Sequence, residues 1–270
     1  MSWVKNVLHT DKAIIGLCHF KALPGDPFYD EEGGMEAVYE AAYKDVMALQ
    51  EGGIDAIQFT NEFSMPYSMK TVDTTTVASM AALIGRLKEH MTVPFGANCI
   101  GDALSSVSLC CATGAKFTRG TFHGAWATNY GFQEGECHQV YRLRHNLHYD
   151  QLKLIHYVVP ESSSDVGGRD PVESLKAHYF LNKPDAFGVC GLVAGQKVDV
   201  NLLSKFKEVY PDTAIFAVTG VNSVNAKEIM SLADAAFVGT ALKKDGKFKN
   251  PVDVERVKIL MKEVKKLRGE

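Results

Sequence analysis

Residues 214–246 read AIFAVTGVNSVNAKEIMSLADAAFVGTALKKDG. Two short apolar runs, 214–218 and 235–238, each end in a glycine turn: Thr219-Gly220-Val221-Asn222-Ser223 and Gly239-Thr240. A helix-forming stretch, 224–231, lies between them, with Ser223 as its expected N-cap. This order is that of the last two βα units of a phosphate-binding (β/α)8 barrel. In such barrels a phosphate rests on main-chain N–H groups after strands seven and eight. Glycine lets the main chain approach a ligand with no Cβ in the way. The segment therefore predicts an anion site at Gly220, Val221, Gly239 and Thr240. A generic glycine turn closing a βα unit gives the same letters, so the pairing of the two turns carries the reading.

Outward from this segment, apolar runs alternate with helical patterns along the whole chain. Strands are expected at 13–18, 54–59, 94–99, 116–121, 152–159 and 186–190. Helices are expected at 34–50, 75–90, 102–113, 136–147, 171–182, 200–210 and 251–267, the last with Asn250 as cap and Pro251 at its first position. Strands alternating with helices imply a parallel sheet, and eight repeats imply closure, so the fold class is α/β, a single (β/α)8 TIM barrel spanning residues 1–270. No G-x-G-x-x-G follows the first strand, so a dinucleotide fold has little support.

The bulk properties agree. A chain of 270 residues with 46% hydrophobic composition suits one large domain. A net charge of −3 and no long basic run before the last helix argue against a nucleic-acid partner. The Lys/Arg-rich residues 258–268 alternate with Ile259, Leu260, Val264 and Leu267, the pattern of a solvated amphipathic helix. The N-terminus is too polar for a signal peptide, and no apolar stretch nears the roughly 18 residues that span a bilayer. Six scattered cysteines form no C-x-x-C pair, which suits a reduced, cytoplasmic protein.

The stretch AIIGLCHFKALPGDPFY, with His19, Leu23, Pro24, Gly25 and Pro27, and the stretch VGTALKKDGKFKNPVDVERV, with residues 238–246 and 250–253, resemble the BtpA family. The resemblance covers nearly the full chain and implies a ribulose-phosphate-binding type of barrel. It also implies either a phosphosugar-metabolism protein or a factor with a role in photosystem I assembly. Two departures stand out. The family's Gly-Ser-Gly-Val turn after strand seven is here Val218-Thr219-Gly220-Val221, and strand five ends His156-Tyr157-Val158-Val159-Pro160-Glu161 in place of a Val-Lys-His-Ala-like segment.

Strand ends converge at a barrel mouth. The expected mouth residues are His19, Gln58, Asn61, Glu62, Asn98, Arg119, His123, His156, Glu161 and Gly191. Glu62 is the preferred general acid or base, against a loop or N-cap carboxylate. His19 is the second proton carrier, against a histidine that orients the Pro-Gly loop. Arg119 would pair with an anionic substrate or with Glu62. Asn98 would bind a sugar hydroxyl or polarise a carbonyl, against a buried amide. The loops 21–34 and 122–135 are lid candidates, and Trp126 is expected to pack its loop on the barrel rather than stack on a sugar. Lys243 and Lys244 would attract phosphate by charge. His138, His145 and His148 read as an exposed helix face, and no H-E-x-x-H or G-x-S-x-G motif is present.

These residues predict an isomerase, epimerase or aldol-type lyase acting on a small phosphorylated metabolite. The alternatives are a non-catalytic assembly or regulatory factor and a metal-dependent hydrolase. No cofactor is predicted; a divalent metal on mouth residues such as His19 and Glu62 is the open alternative. Membrane insertion is not expected, and homo-oligomerisation is allowed.

Overall fold

The apolar runs of the sequence become strands buried on both faces, as parallel sheets require. The computed structural model describes residues 3–191 and 196–270. In chain order the strands are β1 (Ala13–His19), β2 (Ala56–Thr60), β3 (Phe95–Asn98), β4 (Phe117–Gly120), β5 (Ala125–Thr128), β6 (Gly131–Glu134), β7 (Lys153–Val159), β8 (Ser163–Asp165), β9 (Ala186–Val189), β10 (Ala214–Ala217) and β11 (Ala235–Val238). Eight of them form one sheet in the order β3-β2-β1-β11-β10-β9-β7-β4, with parallel pairing throughout. Its two edges meet where the Lys116 N–H donates to the Phe95 carbonyl at 2.7 Å. The sheet is thus a nearly closed (β/α)8 barrel.

The helices are α1 (Trp3–Leu8), α2 (Gly34–Glu51), α3 (Thr74–Leu87), α4 (Ala103–Thr113), α5 (Cys137–Asn146), α6 (Pro171–Asn182), α7 (Val200–Val209), α8 (Ala226–Leu232) and α9 (Val254–Arg268). Alternate strand residues face two separate cores. Ile15, Leu17, Phe117, Ile155, Phe216 and Phe237 fill the barrel. Ile14, Val46, Leu83, Leu109, Phe206 and Leu260 lie between sheet and helices. Helix α1, which the sequence reading did not assign, packs Val4 and Leu8 into the inner core. Its Trp3 stacks on Phe216 at 5.5 Å and donates its indole N–H to the Asp185 carbonyl at 2.7 Å. The N-terminal end of the barrel is thereby plugged, and the C-terminal end holds the cavity.

Three local expectations are corrected. Ser223 does not cap α8; the Asn222 side chain accepts from the N–H groups of Val224 and Asn225 at 2.9 and 3.2 Å. The last helix starts at Val254, capped by Asp253, because a bridge between Lys243 and Val252 and the Lys244 N–H to Pro251 carbonyl bond hold residues 251–252 against 243–244, and Asn250 closes a turn on Lys247. The long loop after the fourth strand contains the β5–β6 hairpin, which pairs with β8 in a small antiparallel sheet. Trp126 is buried there, donating to the His123 carbonyl at 2.8 Å, so it packs the loop on the barrel as expected.

Candidate functional site

A cavity of about 800 Å³ occupies the barrel mouth. His19, Glu62, Asn98, Arg119, Gly220, Val221, Gly239 and Thr240 all line it. Parallel strands deliver them: His19 is the last residue of β1, Asn98 the last of β3, and Arg119 faces inward from β4 beside Phe117. Thr60 ends β2, and its hydroxyl reaches the Glu62 carboxylate at 3.4 Å. Tyr67 donates to the Glu62 carbonyl at 2.8 Å and fixes that loop.

The electrostatics set the protonation states. Burial holds the His19 imidazole well below its ordinary range, and the charges of Lys243, Arg119 and Lys21 add to this. The ring is therefore neutral at pH 7, and neither nitrogen has a hydrogen-bond partner among the described residues. Burial pushes the Glu62 carboxyl up, against the nearby Arg119 charge and the Thr60 hydrogen bond. A neutral imidazole and a carboxyl shifted towards neutrality are groups that can take and return protons. Gln58, wholly buried, donates to Asn98 Oδ1 at 2.6 Å and leaves the Asn98 amide N–H groups facing the cavity.

The turns after β10 and β11 form the opposite wall. Gly220 has φ +71°, and a Cβ there would lie 2.0 Å from the Gln196 carbonyl oxygen. Asn225 Nδ2 donates to the Gly220 carbonyl at 2.8 Å. Thr219, unexpected against the family pattern, ties this turn to the loop after β9: its hydroxyl accepts from Gly191 N at 2.6 Å. The main-chain N–H groups of Gly220, Val221, Ser223, Thr240 and Ala241 make no hydrogen bond to another described residue. Beside them Arg256 of α9 donates from Nε to the Ala241 carbonyl at 2.9 Å and lines the same wall. Free N–H groups with an adjacent guanidinium are the chemistry that holds an oxyanion.

Some expected residues lie elsewhere. His156 points away from the mouth into a buried cluster with His178, at 2.8 Å between ring nitrogens, and with His123. The inward residue of β7 is Tyr157. Asn61 lies just outside the cavity and accepts from the Ile100 N–H at 2.8 Å. Lys243 is buried against Phe63 and Phe248 and does not line the cavity, and Lys244 is exposed. Residues 21–34 also contribute nothing to the cavity wall; Asp26 anchors that loop to Leu23 N and Ser64 Oγ, each at 2.6 Å. His138, His145 and His148 are exposed on α5 and just after it. Among the described residues no three His, Cys, Asp or Glu side chains converge to hold a metal ion. The reading missed Tyr67, Tyr157, Phe248 and Arg256; for Arg256 the signal was its place in the VERV end of the C-terminal motif.

The family model described as the BtpA family matches residues 10–266. This chain belongs to the BtpA family. The BtpA-family barrel is 44% identical over 268 residues to the putative sgc region protein SgcQ of Escherichia coli K12, covering 99% of this chain and 100% of that one. It is 26% identical over 250 residues to the photosystem I biogenesis protein BtpA of Synechocystis, covering 92% and 86%. Among solved structures it resembles wild-type GGGPS from Thermoplasma volcanium, with TM-score 0.61, 13% identity and 99% of each chain covered. It also resembles phosphoribosyl anthranilate isomerase from Thermus thermophilus, with TM-score 0.55, 11% identity and 95% and 100% covered. At such identities these two structures speak for the barrel fold alone. No helix of the described residues is long and apolar enough to cross a membrane.

Proposed function

We propose that this BtpA-family barrel is an acid–base enzyme acting on a small phosphorylated sugar, as an isomerase, epimerase or aldol-type lyase. One observation carries the reading: a neutral imidazole, His19, and a carboxyl pushed up by burial, Glu62, share a cavity with a wall of main-chain N–H groups that have no partner among the described residues. The phosphate sits on the turns at Gly220-Val221 and Gly239-Thr240, with Arg256 beside it. The sugar carbonyl lies towards Asn98, whose amide polarises it. Glu62 and His19 then move a proton at the adjacent carbon and at the carbonyl oxygen, and the positive charge of Arg119 stabilises the developing oxyanion. The name of the structural neighbour phosphoribosyl anthranilate isomerase, a barrel enzyme, is in keeping with this reading.

The test is a thermal-shift and calorimetric screen of phosphosugars and inorganic phosphate. Wild type should be stabilised, and G239D, which places a carboxylate in the anion cup, should not respond. On any turned-over substrate, E62Q should lose about 10²–10⁴ in kcat. A wild type that ignores every phosphorylated ligand defeats the proposal. That outcome would favour the second reading, an assembly factor, motivated by the name of the Synechocystis relative. The polar, open mouth speaks against that second reading.

A further inference from the structure

Beyond the oxyanion role proposed for it, Arg119 brings a buried charge to the cavity that phosphate binding does not account for. It is only 8% exposed, and among the described residues it makes no hydrogen bond and no ion pair. Its Nε is fully enclosed without a partner. Its recorded contact is with the Phe237 ring, whose centroid lies 4.5 Å from the guanidinium carbon. The other shielded arginines behave differently. Arg268 bonds Asp55 and the Lys12 carbonyl, Arg144 bonds Asp185 and the Leu152 carbonyl, and Arg256 bonds the Ala241 carbonyl. A shielded guanidinium with no hydrogen-bonded partner is costly, so a fold retains one where a ligand supplies the acceptor. The carboxylates of Glu62 and Glu161 share the cavity with Arg119, and Glu62 feels its charge, but neither forms an ion pair or hydrogen bond with the guanidinium among the described residues; the Glu62 carboxylate is met by the Thr60 hydroxyl.

The placement defines what the ligand looks like. Phe237, under the guanidinium, precedes the anion turn at Gly239 by two residues on β11. At about 3.3 Å per residue, Phe237 lies roughly 7 Å along β11 from that turn, so the guanidinium over its ring sits deeper in the barrel than the anion turn. The cavity of about 800 Å³ reaches both. We propose that Arg119 seats a second anionic group of the substrate, a carboxylate, so that the ligand is a phosphorylated sugar acid. Its phosphate rests on the turns after β10 and β11, and its carboxylate lies on the barrel floor. The planar guanidinium fork matches a carboxylate in two parallel bonds, and its single charge balances a single carboxylate. A second phosphate would also fit the guanidinium fork but carries close to two charges against the one of Arg119, and the bisphosphate arm of the experiment separates the two.

The inference rests on the phosphate reading, and the experiment separates the two. Calorimetry with wild type and R119M would use inorganic phosphate, glucose 6-phosphate, 6-phosphogluconate and fructose 1,6-bisphosphate. Wild type should bind the phosphorylated acid at least about tenfold tighter than the neutral-ended sugar phosphate. R119M should bind those two equally and bind inorganic phosphate as wild type does. It should also melt no lower than wild type without ligand, since it removes a buried charge that has no hydrogen-bonded partner; R119Q is the second variant should R119M fail to fold. Equal binding of acid and neutral sugar by wild type overturns the inference and leaves the phosphate reading standing. A bisphosphate that binds tighter than the acid overturns it in favour of a second phosphate. Loss of inorganic phosphate binding in R119M overturns it by assigning Arg119 to the phosphate site. A wild type that binds none of the four defeats both readings.

Discussion

Glu62 shows how a single side chain trades stability for chemistry. Its carboxyl is pushed up by burial, above its value in the unfolded chain. A group shifted this way contributes stability fully present below the unfolded pKa and lost as pH rises through the folded pKa. At alkaline pH the ionised carboxylate is solvated in the unfolded chain but penalised by burial in the folded one. E62Q should melt higher than wild type at pH 8, by about 2–4 °C for each kcal/mol gained, with the difference vanishing near pH 4. Scanning fluorimetry at the two pH values checks this, and a variant that melts lower at pH 8 contradicts the assigned shift. The two turn glycines make a second contrast. Gly220 is left-handed, and an alanine Cβ there would meet the Gln196 carbonyl at 2.0 Å, so G220A should cost about 2 kcal/mol or more. Gly239 has a negative φ, −116°, and an added Cβ would lie 3.0–3.2 Å from the His19 ring and Leu17. G239A should cost under about 1 kcal/mol and act instead on ligand binding by displacing His19. Urea denaturation of both variants, with phosphate titrations, separates the two effects.

At the scale of elements, the sequence read well where periodicity alone decides and poorly where side-chain parity does. All eight barrel strands lie where apolar runs predicted them, because a strand buried on both faces leaves a continuous signal. That same continuity hides which residues face inward. On β7 the register shifts between Tyr157 and Val159, and the inward residue is Tyr157, whereas His156 faces the helices. There His156 joins His123 and His178 under the β5–β6 hairpin, beside Phe122 and Tyr141. Letters that looked like mouth chemistry are in fact part of the outer packing. Burial lowers the imidazole of His123 to about 4 and that of His178 to about 3, and holds His156 well below its ordinary range. Arg169 and Asp165 face His123, Arg144 lies near His156, and Asn182 bonds His178 at 3.0 Å. With folded values below the unfolded value of 6.5, the unfolded chain binds more protons between these limits. Stability should be full above pH 6.5, fall as pH drops towards 4, and level off below 3. H123F removes a ring whose two nitrogens are unpartnered, so it should flatten this slope without a large loss at pH 7.5. Urea midpoints at pH 7.5 and 5 for wild type and H123F measure it; an unchanged slope would place the titration elsewhere.

Across the whole molecule, one device recurs at the end of the barrel opposite the cavity. Asp55, Asp185 and Asp234 each stand just before a strand, and each is followed by alanine: Asp55-Ala56, Asp185-Ala186 and Asp234-Ala235. Each carboxylate accepts from a main-chain N–H in the neighbouring strand: Ile14 at 2.7 Å, Leu154 at 3.0 Å and Ile215 at 2.8 Å. Each also pairs with a cation from the helical layer, Arg268 for Asp55, Arg144 for Asp185 and Lys207 for Asp234, and Asp185 pairs as well with Lys153 at the start of β7. The repeat was visible in the letters, but its meaning needs the strand order, which no local pattern supplies. The barrel is thus fastened by ion pairs at its plugged end, leaving the mouth free to carry Arg119 and Glu62 without partners of that kind. The three fasteners differ in burial, and this sets the cost of removing each. Arg268 is 6% exposed at its side chain, so D55A strands a buried guanidinium and should cost about 3–5 kcal/mol. Arg144 and Lys153, at 14% and 24%, can recover water in part, and Lys207, at 31%, more so. D185A should therefore cost less than D55A, and D234A about 1 kcal/mol beyond the lost strand hydrogen bond. Equilibrium urea unfolding of the three variants should rank them in that order, while phosphate titrations remain at wild-type affinity in each. Loss of phosphate binding in D234A, at the foot of β11, would show that the two ends of the barrel are coupled rather than independent.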